Sequence, residues 1–240
     1  MKKICVDRSF DKSVLDTNIV RDKRISYIKN DTCIGNQIKN GNYWEIWMLK
    51  YIQSNYIKET NIIDIGSNIG TTTLLMSEVL SNNCKIYSFE PIYNDILFTN
   101  IIDNNLIEQV EIYPYGLGNK IKNINIKNLD LTCNINFGAL SLVDHKEDNN
   151  EDSLYVKIYP LDFFKLENVS LIKIDVENME IETLEGCLET IIRCKPTILI
   201  ETFQLDRLKE SSTFKVLSEI GYDINLIPEG CFDFIMKIKT

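Results

Sequence analysis

The segment Asn61-Ile-Ile-Asp64-Ile-Gly66-Ser67-Asn68-Ile-Gly70, followed by Ile86-Tyr-Ser-Phe89-Glu90-Pro91, constrains this chain more than any other part of it. Asn61 to Ile65 is short and β-branched, which predicts a buried strand, whereas Thr71 to Leu80 carries apolar residues at helical spacing. The glycines therefore fall at a strand-to-helix turn, where backbone can approach a ligand closely. Glu90 follows Gly66 by 24 positions, at the predicted end of the next strand. A carboxylate there can accept both hydroxyl hydrogens of a ribose. The pattern implies an adenosine-bearing cofactor, with Asp64, Gly66, Ser67, Asn68, Gly70, Glu90 and Pro91 as its binding residues, joined by Gly116 after the next strand.

Spacing narrows the choice of cofactor. A dinucleotide fingerprint wants a third small residue so that a pyrophosphate can rest on the helix N-terminus. Here Asn68 and Thr71 occupy the second and third glycine positions. Their loss matters little for S-adenosylmethionine, which has no pyrophosphate and whose sulfonium and amino-acid end need acceptors such as Asp64. A nicotinamide oxidoreductase on the same fold and a non-catalytic cofactor-binding protein are the alternative readings.

A chain of 240 residues with 44% hydrophobic composition can bury a substantial core. The sequence lacks a run of eighteen apolar residues and a cationic-then-apolar leader at Met1 to Asp7, so neither a membrane span nor a secretion signal is expected. A cytoplasmic location is the expectation. The seven cysteines are an odd number without CxxC spacing, which argues against a disulfide framework or a zinc cluster. A net charge of −9 without a Lys/Arg cluster disfavours nucleic acid as a partner.

Residues 1–41 form an N-terminal extension in this reading, with Val14 to Val20 and Arg24 to Ile28 as short strands or turns. Asn42 to Lys58 is expected as one helix capped by Gly41 or Asn42. From Asn61, strands and helices alternate, predicting a doubly wound, mostly parallel sheet covered on both faces. Gly116 to about Ser153 breaks the rhythm as a strand-rich insertion with a polar loop, its alternations lying at Ile121 to Ile126 and Leu129 to Ile135. The rhythm resumes with Leu154 to Tyr159, Leu171 to Val176, a single helix Met179 to Arg193, Thr197 to Thr202, a helix Phe214 to Ile220, and two closing strands. A hairpin near Gly230 makes the last strand antiparallel.

Asp64-Ile-Gly66-Ser-Asn68-Ile-Gly70, Phe89-Glu90-Pro91, Leu161-Asp162, Leu171-Ile-Lys173-Ile-Asp175-Val-Glu177, Glu185-Gly186 and Pro196-Thr-Ile-Leu-Ile-Glu201 occur in an order that resembles the FkbM family of methyltransferases. The resemblance runs from about Glu45 to Ile200. It implies a Rossmann-like class I methyltransferase fold, S-adenosylmethionine as methyl donor, and a hydroxyl of a sugar or glycoconjugate as acceptor. Asn178 departs from the pattern, since the family usually has glycine there, but asparagine tolerates left-handed dihedrals better than most residues.

Methyl transfer to oxygen needs an acceptor held about 3 Å from the methyl carbon, opposite the sulfur, and a group to take the hydroxyl proton. Asp175 and Glu201, at successive strand ends, are the first candidates, joined by Glu177, by Lys173 at period two from Asp175, and by His145, the only histidine. Asp175 and Glu201 could instead hold magnesium against two sugar hydroxyls, while Asp175 and Glu177 could simply cap the following helix. The acceptor is expected between the insertion, at Asn136, Gly138, Ser141 and His145, and the carboxyl edge of the sheet. The expected partners are a sugar or glycan and, as an allowed assembly, a second copy in a homodimer.

Overall fold

A computed structural model describes residues 11–127, 129–142 and 153–239. After a 3-10 turn at Lys12–Val14, β1 (Leu15–Val20) and β2 (Lys23–Ile28) form an antiparallel hairpin. Arg21 and Asp22 at its tip both have positive φ, as a two-residue turn matched to strand twist requires. The chain continues through α1 (Ile34–Lys39), α2 (Met48–Asn55), β3 (Asn61–Ile65), α3 (Thr71–Ser77), β4 (Ile86–Phe89), α4 (Asn94–Asp103) and β5 (Val110–Tyr113). Next come β6 (Gly116–Leu117), β7 (Lys122–Lys127), β8 (Ser153–Tyr159), a 3-10 turn at Leu161–Phe164, and β9 (Val169–Ile174). The remainder is α5 (Glu180–Gly186), α6 (Leu188–Cys194), β10 (Thr197–Glu201), α7 (Leu205–Glu210), α8 (Ser212–Glu219), β11 (Tyr222–Leu226) and β12 (Asp233–Ile238).

The central sheet has the order β11-β12-β10-β9-β3-β4-β5. Strands β5, β4, β3, β9 and β10 run parallel to their neighbours, while β12 is antiparallel to both β10 and β11. This is the doubly wound, mostly parallel sheet with an antiparallel terminal strand that the alternation predicts. Order along the sheet reverses beside β3 and β9, which opens a crevice at their carboxyl ends. One core layer contains Ile62, Ile86, Leu171 and Leu199 with residues of α2, α3 and α4, and the other contains Ile63, Ile65, Ile172, Ile174 and Ile200 with residues of α5, α6 and α8. Neighbouring residues of one buried strand thus supply opposite layers.

Four elements differ from the sequence reading. The helix expected over Asn42 to Lys58 is only Met48–Asn55, because Glu45 adopts a left-handed φ of 50° and interrupts it. Leu129 to Ile135 forms no strand beyond a single bridge from Ile135 to Asp31. There the Asp130 carboxylate accepts from the Thr132 amide and hydroxyl at 2.9 and 2.6 Å, a local turn that competes with a ladder. β8 pairs with β6 and β7 in a separate three-stranded sheet instead of joining the central one. The long helix expected over Met179 to Arg193 is divided at Cys187.

All six described cysteines are free thiols, two of them buried. No helix among the described residues is long and apolar enough to cross a membrane.

Candidate active site

Backbone geometry builds the first wall. Gly66, Asn68 and Gly70 have φ of 75°, 52° and 95°, a sequence of left-handed residues that bends the chain from β3 into α3. A Cβ on Gly66 would lie 1.7 Å from the Asp175 carbonyl oxygen, so only glycine lets the two strand ends meet. The amides of Gly66 and Ser67 donate to the Phe89 carbonyl at 3.0 and 3.2 Å, tying this loop to the end of β4.

Glu90 fixes the loop from the other side. Its Oε2 accepts the Asn68 amide at 2.8 Å and its Oε1 accepts the amides of Ile92 and Tyr93 at 2.7 and 3.0 Å. Burial raises its pKa, and those three amides oppose the shift. A carboxylate has about four acceptor positions, so Glu90 keeps room for about one further donor instead of the two ribose hydroxyls expected from sequence. The cleft beside it is lined by Asn68, Glu90, Pro91, Ile92, Tyr115, Gly116, Leu142 and Met179. Apolar walls at Ile92, Leu142 and Met179 with the Glu90 carboxylate at the edge suit an adenosine.

Asp64 stands beneath this cleft and does not line it. Its carboxylate is completely buried, accepting the Thr73 hydroxyl at 2.5 Å. Its other oxygen has no hydrogen bond and lies 4.0 Å from the Lys173 ammonium. Strand register explains the pairing, because Asp64 and Lys173 are direct partners across β3 and β9. The expected role of Asp64 as an acceptor for the cofactor's amino-acid end gives way to that of an anchor. Burial raises its carboxyl, with Lys173 opposing. Lys173 donates to the Gly66 carbonyl at 3.0 Å and to Asp175 at 3.1 Å. Burial would lower the Lys173 ammonium, but Asp175, Asp64 and Glu45 outweigh it and hold it up.

A second cleft adjoins the first. It is lined by Trp44, Glu45, Ser67, Thr71, Thr72, Asn136, Lys173, Glu201 and Phe203, and it shares Gly66, Asn68, Gly138, Asp175 and Glu177 with the cleft beside Glu90. Asp175 and Glu177 are the carboxylates at that junction. Glu177 and Asn178 both have positive φ, 48° and 75°, so the position where asparagine replaces the usual glycine does adopt the left-handed conformation. Neither Asp175 nor Glu177 caps the helix that follows: Met179 is its N-cap, without a side-chain bond, and Glu180 accepts the Asn178 amide at 2.8 Å. Burial, then Asp175 and Glu180, push the Glu177 carboxyl up to about 7.

Glu201 faces this second cleft, as the strand-end argument predicts. Burial, reinforced by Asp175, Asp233 and Glu45, pushes it up to about 8. Its close neighbours are Glu45 and Asp233, which sequence reasoning missed. Burial also pushes Glu45 up to about 7 and Asp233 up to about 6. Asp175, tied to Lys173, is not in that group, so the pair expected to hold magnesium is not the set of carboxylates that converges. Asn136 and Gly138 line the second cleft, and Ser141 donates to the Glu177 carbonyl at 2.7 Å. His145 and the acidic run Asp144 to Asp152 lie outside the described residues.

The FkbM methyltransferase domain family matches residues 64–224. No curated protein matches the chain in sequence. Among solved structures, an FkbM methyltransferase from Methylobacillus flagellatus superimposes with a TM-score of 0.51 at 15% identity, over 80% of this chain and 50% of that one. A protein described as an rRNA methylase from Clostridium thermocellum gives 0.51 at 11% identity, over 80% of this chain and 94% of its own. Identities this low show the shared fold alone, and this chain spans half the length of the Methylobacillus protein. The match over residues 64–224 places the chain in the FkbM methyltransferase family.

Proposed function

We propose that this chain is an S-adenosylmethionine-dependent O-methyltransferase acting on a sugar hydroxyl of a glycan or glycoconjugate. The observation that supports this reading is the meeting of two clefts at Asp175 and Glu177. Both are lined by Asp175 and Glu177; the first adds Glu90 with apolar Ile92, Leu142 and Met179, and the second adds Lys173, Glu45 and Glu201. Bound in the first, S-adenosylmethionine supplies an electrophilic methyl group. Asn68, Glu90 and the apolar residues around Pro91 and Met179 hold the adenosine end, and the backbone beside Gly66 directs the rest toward the junction.

The second cleft holds the acceptor. The acceptor hydroxyl would be held at the Asp175–Glu177 junction to receive the methyl group that S-adenosylmethionine would supply, so positioning would contribute much of the acceleration. The hydroxyl proton passes to a carboxylate. Glu177 is best suited to receive it, since a base is most effective when its pKa lies near the working pH and Glu177 stands at about 7. Asp175, already accepting from Lys173, orients the hydroxyl.

Calorimetric titration with S-adenosylhomocysteine and methyl transfer from labelled S-adenosylmethionine onto a sugar panel test the proposal. Expected are binding that weakens about ten- to a hundredfold in Glu90→Ala and label on a sugar oxygen. A folded protein that binds NADH but not S-adenosylhomocysteine supports the oxidoreductase reading instead. Cofactor binding without transfer to any acceptor supports the non-catalytic one.

A further inference from the structure

The second cleft opens through Trp44, Glu45 and Glu201 into a chamber also lined by Trp47, Phe232 and Asp233. The carboxylates of Glu45, Glu201 and Asp233 converge there, each offering an oxygen within 4.8 Å of the others. Register creates the cluster. Glu201 and Asp233 are direct partners across the antiparallel pair β10–β12, a placement that is destabilising for like charges. Asp233 is 7% exposed, and its carboxylate, steadied by the backbone at Phe232, has no side-chain donor and no ion pair among the described residues. One buried and two half-buried carboxylates held together in this way favour a cationic occupant.

The surface above them is aromatic. Trp44 and Trp47 line the chamber, and Phe203 and Phe232 meet at its rim with ring centroids 4.4 Å apart. Phe203 is 53% exposed and Phe232 45%, which marks the rim as surface that a ligand can cover. A divalent ion would use the carboxylates and leave these rings without a role. Ring faces attract an organic ammonium, carboxylates accept its N–H bonds with charge assistance, and a pyranose can lie along the same wall.

Resting on the reading that the chain methylates an acceptor at the Asp175–Glu177 junction, we infer that this acceptor is an amino sugar, its ammonium held by Glu45, Glu201 and Asp233 and its ring laid against Trp44 and Phe232. Recognition of charge then occurs in the chamber, and methylation of a hydroxyl occurs at the junction.

The test is calorimetry on protein loaded with S-adenosylhomocysteine, titrated with the methyl glycosides of glucosamine, N-acetylglucosamine and glucose. The amine is expected to bind about ten- to a hundredfold more tightly than the two neutral sugars. Asp233→Asn should erase that preference while leaving S-adenosylhomocysteine affinity intact. Glu45→Gln, on a turn outside the central sheet, provides the same readout should the Asp233 variant fail to fold. Equal binding of the three sugars, tighter binding of a neutral one, binding of none, or a preference unchanged by both variants overturns the inference. Magnesium or calcium chloride that binds alone and displaces the amine also overturns it, assigning the carboxylates to a metal. Failure of the methyltransferase reading has a separate signature, the absence of S-adenosylhomocysteine binding itself.

Discussion

Lys173 joins the two sides of the site, since one buried ammonium serves the Gly66 carbonyl, the Asp175 carboxylate and the unpartnered oxygen of Asp64. Replacing it with methionine removes the cation and leaves two carboxylates without their partner. Breaking a buried pair in this way costs about 3–5 kcal/mol, so Lys173→Met should lower the urea midpoint substantially, and adding Asp64→Asn should recover part of the loss. A midpoint unchanged in Lys173→Met would show that the buried charges are not coupled. Glu177→Gln tests proton acceptance: turnover should fall about a hundred- to ten-thousandfold with S-adenosylhomocysteine affinity preserved. The wild-type rate should rise as pH increases through about 7, where Glu177 ionises. A Glu177→Gln enzyme turning over at the wild-type rate would move the base to Glu201. Asp64, Gly66, Glu90, Lys173, Asp175, Glu177 and Glu201 were legible in the sequence because each sits at a turn or a strand end that local pattern locates. Glu45 and Asp233 were not, since one depends on a left-handed turn and the other on the register of an antiparallel pair.

At the scale of elements, periodicity located the strands of the central sheet because the inner ones, β3 and β9 above all, are buried on both faces and bounded by turns. It failed where tertiary contacts choose between two local answers. The division between α5 and α6 is such a case: apolar spacing continues through Cys187, but Gly186 is pressed against a neighbouring backbone. A Cβ there would lie 2.0 Å from the Gly118 carbonyl oxygen and 3.2 Å from the Pro160 Cα. Helix propensity alone predicts that Gly186→Ala stabilises the chain by about 1 kcal/mol. Steric overlap with backbone predicts a loss of about 1–3 kcal/mol or more. The second effect should win, because no flexible side chain can move to make space. A thermal midpoint below wild type is expected, and one above it would mean that the contact with the Gly118 backbone relaxes easily. The small sheet of β6, β7 and β8 was only half legible for a related reason, since nothing local to Ser153–Tyr159 distinguishes pairing with β7 from joining the central sheet.

The whole molecule carries its acidic site as a stability liability that varies with pH. Folding raises Glu45 and Glu177 to about 7, Glu201 to about 8 and Asp233 to about 6, with burial the largest cause in each. Their ordinary values are 4.5 for glutamate and 3.8 for aspartate. Between about pH 4 and 8 the folded chain therefore holds more protons than the unfolded chain. Stability must fall as pH rises through that window. Asp64 and Glu90, also raised by burial, act in the same direction. Lys173 does not offset the trend, because its raised pKa contributes stability that is fully present below the unfolded lysine value of 10.5. The net charge of −9 at pH 7 adds general repulsion of the same sign. At the acid end Glu229, lowered to about 2 by Lys50 and Tyr51, works oppositely and loses its contribution as pH falls below the ordinary 4.5. The thermal midpoint should consequently be highest near pH 5 and fall by several degrees toward pH 8, measured by calorimetry at constant ionic strength. Glu201→Gln, which removes a carboxyl raised to about 8, should flatten the decline, and a bound amino sugar that neutralises the cluster should restore the midpoint at pH 8. A wild-type midpoint that is level or rising from pH 5 to pH 8 would show that these carboxylates are not held above their ordinary values in the folded chain.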